Sequence, residues 1–556
     1  MHRTLLRLLA GLLLCAPVAA LAQSASATPD QTDGHLILVL PFDNRSGQSN
    51  LGWIADSFPD TLNQRLNSSG FLTITRDDRQ YALDHLGLPP DFHPTRATTI
   101  RIAQTLDADY VIVGSFTLKE NRIAVQAQVL QVKQLSMSPP LEDSAELNRL
   151  LNVEDAIAWK IARQIDPHFK IALQTFLSAS TGVKLSSFEN YIRGIDETSP
   201  AERIKHLQLA VQETPTYSSA LLALGKLQYA QRDYEHAAAT LAKVPKTSRH
   251  ALEAGFYLGL ARFNSAKYAD AESAFAFVAS RMPLPEVVNN QGVAASRQGK
   301  DATALFQRAS TADPNDGEYH YNLAIAMFRR GDNAGGQREL KQALTLRPKD
   351  PEALALKDFI AAGHTFTPGP VTAPPATAPV NPGTAPAKPS TSGAETEQIE
   401  PVPRIRRSFS ETSFRQAAFE LDQMRALRMA SLPPAERAAQ YVQLGQDYLA
   451  QGFLPEAEQE YQAALSAEPG DATAHAGLAR IREQSGDPTA ARTEAQSSLK
   501  LKPNVEAYLV LARLELNDGQ LSPSAADVRN ALHLEPKNTA ALGLSQALKA
   551  RGQALP

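Results

Sequence analysis

A block of residue types returns every 34 positions along much of this chain, and a chain built on such a period folds as a stack of small units instead of around one central core. The clearest copy is Tyr441, Leu444, Gly445, Tyr448, Gly452, Ala457, Tyr461, Ala464 and Pro469. Moving on 34 residues gives His475, Leu478, Ala479, Arg482, Gly486, Ala491, Ala495 and Pro503, and a third copy carries Leu511, Ala512, Gly519, Ala531 and Pro536. Upstream, Leu224-Gly225 with Ala237 and Leu241 recurs 34 residues later as Leu258-Gly259 with Ala271, Phe275 and Pro283. Gly292, Gly299, Ala309 and Pro314 make a shortened copy, Leu323, Ala324, Gly331, Leu340, Ala343 and Pro348 a regular one, and Tyr191, Ala210 and Pro215 a weaker first one. Small residues let two antiparallel helices approach, large ones fill the gaps, glycine turns the chain between helices and proline ends the second helix. No single unit buries its own apolar face, so neighbours must stack.

The phased Tyr/Leu-Gly/Tyr, Ala, Tyr and Pro positions resemble the tetratricopeptide repeat. The expected fold is mostly α, with two helical solenoid arrays, about five repeats over residues 186–360 and about three plus a capping helix over 408–556. Between them, 361–407 is rich in Pro, Ala and Thr and reads as a disordered linker able to hold the arrays up to roughly 120 Å apart, so that they move independently. Arg404, Arg406 and Arg407 close that stretch as a short basic cluster, either a solvated edge or an electrostatic docking element.

Residues 1–22 carry Arg3 and Arg7, an apolar run from Leu8 to Leu14, and Ala20-Leu21-Ala22, the pattern of a cleaved secretory leader. The run is shorter than a spanning helix needs and Pro17 interrupts it; the mature chain is expected to have no transmembrane segment. The single cysteine, Cys15, follows Leu14, where lipid attachment calls for a small residue. Cleavage after Ala22 leaves no thiol for disulfides, catalysis or metal binding. A net charge of -4 with 21% charged residues gives no field that would hold nucleic acid. The expected location is periplasmic or peripheral at the envelope.

Residues 34–170 have another texture. Leu36 to Phe42 suits a buried strand, Ile54, Phe58, Leu62 and Leu66 lie at helical spacing, and Leu72 to Thr75 reads as a strand. Ile100 to Leu106 reads as a helix, Tyr110 to Phe116 and Ile123 to Val132 as strands, and Ala145 to Ile165 as a closing helix, a small α/β domain. The runs VLPFDNRSG (Val39 to Gly47) and IAQTLDADYVIVGSF make this domain similar to the TolB amino-terminal family. That resemblance implies assembly or recognition in a bacterial envelope and brings no catalytic residues; no propeller repeats follow, so TolB's propeller partners are not implied. Asp43 to Ser46, at the end of the first strand, suit a ligand edge or simply a turn.

No phosphate loop, dinucleotide fingerprint, nucleophile elbow or zinc helix occurs, and His85 with His93 is the closest histidine pair. No cofactor or metal and no enzymatic activity are expected. The leading expectation is an exported adaptor that binds one or more proteins or peptides in its repeat grooves; a ligand sensor built on the α/β domain and an enzyme with an unrecognised site are the alternatives. If the first helix of each repeat lines the groove, Tyr229, Phe256, Phe263, Tyr321 and Phe328 fall on the first array's inner face beside Lys226, Arg297 and Arg329. Aromatics beside cations there suit a peptide with apolar anchors and acidic flanks. The second array offers Arg480 and Arg513 on a more polar surface.

Overall fold

The structure is a computed structural model that describes residues 35–88, 95–178, 182–366, 400–407, 424–425 and 427–555. The leader, His93 and residues 367–399 and 408–423 lie outside the described residues.

The amino-terminal unit is a mixed sheet with helices on both faces. Strand β1 (Leu36–Val39) is followed by β2 (Asp43–Asn44), β3 (Leu72–Thr73), β4 (Tyr110–Lys119), β5 (Arg122–Gln131), β6 (Ser136–Met137) and β7 (Leu141–Glu146). The order is β3-β1-β4-β5-β6, with β2 on β4 and β7 on β5. β1 runs parallel to both β3 and β4, whereas β4 and β5 form an antiparallel hairpin. The unbroken apolar run of β1 has a simple cause, since both faces are covered. Ile37 and Val39 share a cluster with Phe58 and Leu62 of helix Gly52–Asn67 and Ile157 of helix Leu150–Ile165. Leu38 and Leu40 share another with Ala82 of helix Arg76–His85 and Ile102 of helix Arg96–Thr105.

Two details differ from the sequence reading. The closing helix starts at Leu150 because Leu141–Glu146 first adds a strand to β5. Helix Arg76–His85 is additional; the Thr75 side chain caps it, but only Ala82 and Leu83 are buried, too few for a periodic signal. At the end of β1 the turn chemistry is realised: Asn44 accepts from the Ser46 amide at 2.9 Å, and the Ser46 hydroxyl accepts from the Leu118 amide at 2.7 Å.

The core does not stop where the α/β unit was expected to end. Phe176, Phe188, Tyr191, Ile192 and Leu207 belong to the same apolar cluster as the sheet, and the Tyr191 hydroxyl donates to Asp60 at 3.0 Å. From there the chain forms helical pairs: Leu185–Asp196 with Pro200–Glu213, Ser218–Ala230 with Tyr234–Leu241, Ala251–Asn264 with Tyr268–Ala279, Pro285–Arg297 with Thr303–Ala312, and Gly317–Arg329 with Asn333–Leu346. Helix Pro351–Ala361 closes this array. The second array pairs Pro434–Ala450 with Leu454–Ala467, Ala472–Gln484 with Pro488–Leu501 and Val505–Asn517 with Leu521–Leu534, and Thr539–Ala550 caps it.

Close approach explains the small residues. A Cβ on Gly259 would stand 2.6 Å from the Phe275 ring, and one on Gly477 2.2 Å from the Tyr461 ring, both inside van der Waals contact. The turn between paired helices needs a left-handed residue. Glycine provides it at 299, 331, 452, 486 and 519, while Arg232 and Ala266 occupy the same place with φ of 65° and 56°.

The arrays are not held apart. Glu456 of the second array pairs with Arg249 of the first at 3.0 Å. Glu458 is fully buried: its carboxylate accepts from Arg482 at 2.7 and 2.5 Å, from the Thr175 hydroxyl at 2.5 Å and from the Ala172 amide at 2.9 Å. The second array therefore docks on the segment that leads from the α/β unit into the first array, and the expectation of independent motion is corrected by these contacts.

Candidate functional site

The ends of the expected linker are ordered into the first array. Ala361 ends its last helix, residues 362–366 follow as a turn and irregular chain, and 400–407 (EPVPRIRR) lie across helices Pro285–Arg297 and Gly317–Arg329, the first helices of two repeats. Asparagines hold the backbone of this strap. Asn322 accepts from the Arg404 amide at 2.7 Å and donates to the Arg404 carbonyl at 2.8 Å. Asn290, which precedes Gly292 by the same two positions as Asn322 precedes Ala324, does the same to Arg406, at 2.8 Å in both directions. Asn289 adds a donor to the Arg404 carbonyl at 3.2 Å, and its own oxygen accepts from Asn322 at 2.8 Å. All three asparagines are fully buried. Each strap residue held on both its amide and its carbonyl is two positions from the next, the step of an extended strand that presents alternate side chains to one side.

Those side chains meet paired carboxylates. Asp350 caps helix Pro351–Ala361 with one oxygen, accepting from the Glu352 and Ala353 amides, while its other oxygen takes the Arg404 guanidinium at 2.8 Å. Glu352 meets the same guanidinium at 2.9 Å, and the Tyr321 ring lies 3.8 Å beneath it. One repeat earlier, Asp316 caps helix Gly317–Arg329 with one oxygen and binds the Arg406 guanidinium with the other; Glu318 lies 3.8 Å from it. The two acidic pairs are 34 residues apart, 316 to 350 and 318 to 352. Burial works to raise the Asp350 carboxyl, but the bonds from Arg404 and the helix amides outweigh it and hold it below the ordinary carboxylate value. Burial raises Glu318, and Arg404 and Arg347 offset part of that rise. At the other end, Glu400 pairs with Arg329 at 2.7 Å, Pro403 is buried, and Ile405 joins the apolar clusters around Phe263 and Val293.

The residues expected on this face divide into three groups. Tyr321 and Arg329 touch the strap, and Phe263, with Arg297 5.8 Å from its ring centre, packs in the clusters that Ile405 joins. Lys226 pairs with Glu253 at 2.6 Å, and with Tyr229 it lines a 790 Å³ cleft between the α/β unit and the array, whose edge Arg407 reaches. Phe256 and Phe328 are corrected to core: Phe256 is fully buried against Phe275, and Phe328 packs with Leu340 and Leu356. Each ring packs on the second helix of its repeat, Phe256 on Phe275 and Phe328 over Gly336, where a Cβ would stand 2.8 Å from the ring. In the second array, Arg480 pairs with Glu506 at 3.5 Å and Arg513 with Glu483 at 2.6 Å, so both cations are engaged within the array. The asparagines and acidic pairs were missed, although their recurrence was in the sequence. Among the described residues, no three His, Cys, Asp or Glu side chains come together as a metal site, and no helix is long and apolar enough to cross a membrane.

Residues 294–358 and 442–506 each match a family model described as tetratricopeptide repeat. No curated protein matches the chain. Among solved structures, the LpoB C-terminal domain from Salmonella enterica is 26% identical over 20% of this chain and 83% of that one, with a TM-score of 0.18. YrrB, described as a TPR protein with an unusual peptide-binding site, is 13% identical over 36% of this chain and 98% of its own, with a TM-score of 0.28. Lipoprotein GNA1162 from Neisseria meningitidis is 17% identical over 20% and 79%, with a TM-score of 0.18. Tetratricopeptide repeats are thus supported in both arrays, over residues 294–358 of the first and 442–506 of the second.

Proposed function

We propose that this chain is an exported, non-catalytic scaffold whose first tetratricopeptide array captures an extended segment of a partner protein. The observation that carries the reading is the pair Asn290 and Asn322, each spending both ends of its amide on one residue of an extended backbone. The asparagine bonds grip main chain and suit an extended segment that presents a free backbone edge, while the acidic pairs of Asp350 with Glu352 and Asp316 with Glu318 face the side chains at the clamped positions. Export rests on the leader, and an envelope setting on the resemblance of the α/β unit to the TolB amino-terminal family.

Peptide display against the full chain with its groove emptied by Arg404→Ala and Arg406→Ala tests the scaffold reading. Enrichment of extended sequences that no longer bind after Asn290→Ala and Asn322→Ala is the expected result. Absence of enrichment, or binding indifferent to the asparagines, refutes it. Export is tested by the intact mass of the protein from its native host, expected to begin near Gln23.

A further inference from the structure

We infer that the first array reads arginine at every second position of its partner, one arginine per repeat, and that residues 400–407 hold the partner's place until a segment of the same chemistry displaces them. This rests on the scaffold reading and names the partner: a protein segment in extended form carrying proline, arginine, an aliphatic residue and arginine in that order.

Three features of the groove carry it. First, the register is built into the repeat. The clamp on one backbone residue and the acidic pair for its side chain come from successive helical units, Asn322 with Asp350 and Glu352 for Arg404, Asn290 with Asp316 and Glu318 for Arg406. Second, the chemistry selects arginine over lysine. Arg404 donates to Asp350 through one terminal nitrogen, has its Nε 2.9 Å from Glu352 and lays the flat guanidinium 3.8 Å over the Tyr321 ring; a compact, strongly hydrated ammonium can meet the carboxylates but cannot lie as a plane on the ring at the same time. Between the two arginines the side chain must be apolar, because Ile405 sits in the clusters of Phe263 and Val293. Third, the occupant is tethered at home. Phe366 and Glu400 both meet Arg329, the first with its ring 5.3 Å from the guanidinium and the second by an ion pair at 2.7 Å. The chain leaves the array and returns to it at one place, so the strap is presented at an effective concentration on the order of millimolar. A free segment must be better matched, or more abundant, to take the groove.

The probe is a fluorescent peptide of sequence EPVPRIRR, read by anisotropy against the full chain. The Arg404→Ala/Arg406→Ala chain is expected to bind it at least about tenfold more tightly than the natural chain does, because the competitor is gone. Replacing the peptide's two groove arginines by lysine should weaken binding about tenfold or more, and replacing them by alanine should remove it. Equal affinity for the natural and emptied chains overturns occupation by the strap. An emptied chain that takes the alanine peptide as well as the arginine one overturns the arginine reading and leaves the scaffold reading standing. An emptied chain of unchanged helicity that binds none of the peptides overturns both. Should the double variant fail to fold, the natural chain still decides. Saturating it with isotopically heavy EPVPRIRR should raise hydrogen exchange at the Arg404 and Arg406 amides at least tenfold, and unchanged protection there overturns displacement.

Discussion

Arg482→Met tests how the second array is attached. The guanidinium is almost enclosed, its side chain 9% exposed, and it donates through two nitrogens to the Glu458 carboxylate, whose side chain is fully buried. Methionine keeps much of the volume and removes the charge, so the buried Glu458 side chain keeps only the Thr175 hydroxyl and the Ala172 amide as donors. Removing one partner of a buried pair costs about 3–5 kcal/mol; two surviving donors place this case near the lower end, at about 3 kcal/mol. By contrast, the exposed pair Arg492–Asp518 is worth no more than about 1 kcal/mol. The loss falls on the contact with residues 172–175, so hydrogen exchange at the Ala172 amide is the direct readout, expected to accelerate roughly 100-fold. Adding Glu458→Leu to Arg482→Met should recover part of the stability, because the stranded carboxylate is gone, while the Thr175 and Ala172 donors stay unpaired at about 1–3 kcal/mol. An Arg482→Met cost below about 1 kcal/mol, or a double variant whose cost is the sum of the singles, would refute the reasoning.

Other outcomes follow from single sites. Ala266→Gly should stabilise the chain by about 0.5–1 kcal/mol, seen as a higher urea midpoint, because an exposed residue held at positive φ is relieved. Phe328→Ser should cost about 3 kcal/mol and loosen the last repeats of the first array, a core penalty measured by denaturation; an unchanged melting temperature would return Phe328 to the groove. Burial pushes the Glu154 carboxyl up to about 8, with Asp155 and Asp60 adding to the rise and the Ser57 and Thr61 hydroxyls opposing it. The folded chain keeps that proton up to pH of about 8 whereas the unfolded chain releases it near 4.5, so stability should fall as pH rises through that window and flatten above it. Glu154→Gln should abolish this slope, measured as urea midpoints at several pH values; a slope that survives assigns it to another group.

The repeats were legible because their constraint is geometric and recurs: the packing that forbids a Cβ at Gly259 also forbids it one period earlier at Gly225. β1 was legible because a strand covered on both faces has no polar positions. The groove was less so. A buried asparagine on an inner helix face looks like any polar helix residue until its partner is known, and the partner is over 80 residues away, beyond a stretch whose composition speaks for a linker. Arginine and proline content pointed away from a core, and correctly so; it said nothing against a clamp that grips main chain. The aromatic positions were misjudged for a related reason. Periodicity places Phe256 and Phe328 on the first helix of a repeat, but which way a ring turns depends on the neighbouring helix. The docking of Glu458 on Thr175 joins residues 283 apart in sequence and leaves no local trace.

The meeting of Phe366 and Glu400 at one arginine has a consequence for how such a chain can change over generations. Both ends stand at one side chain, and closing a ring costs a flexible connection about 0.6 kcal/mol more for each doubling of its length. If residues 400–407 hold the groove as inferred, a change in the length of the connection would alter how firmly they hold it without moving either end. Length alone is then a dial for the threshold at which a competitor succeeds, adjustable in fine steps without altering a residue that touches the ligand.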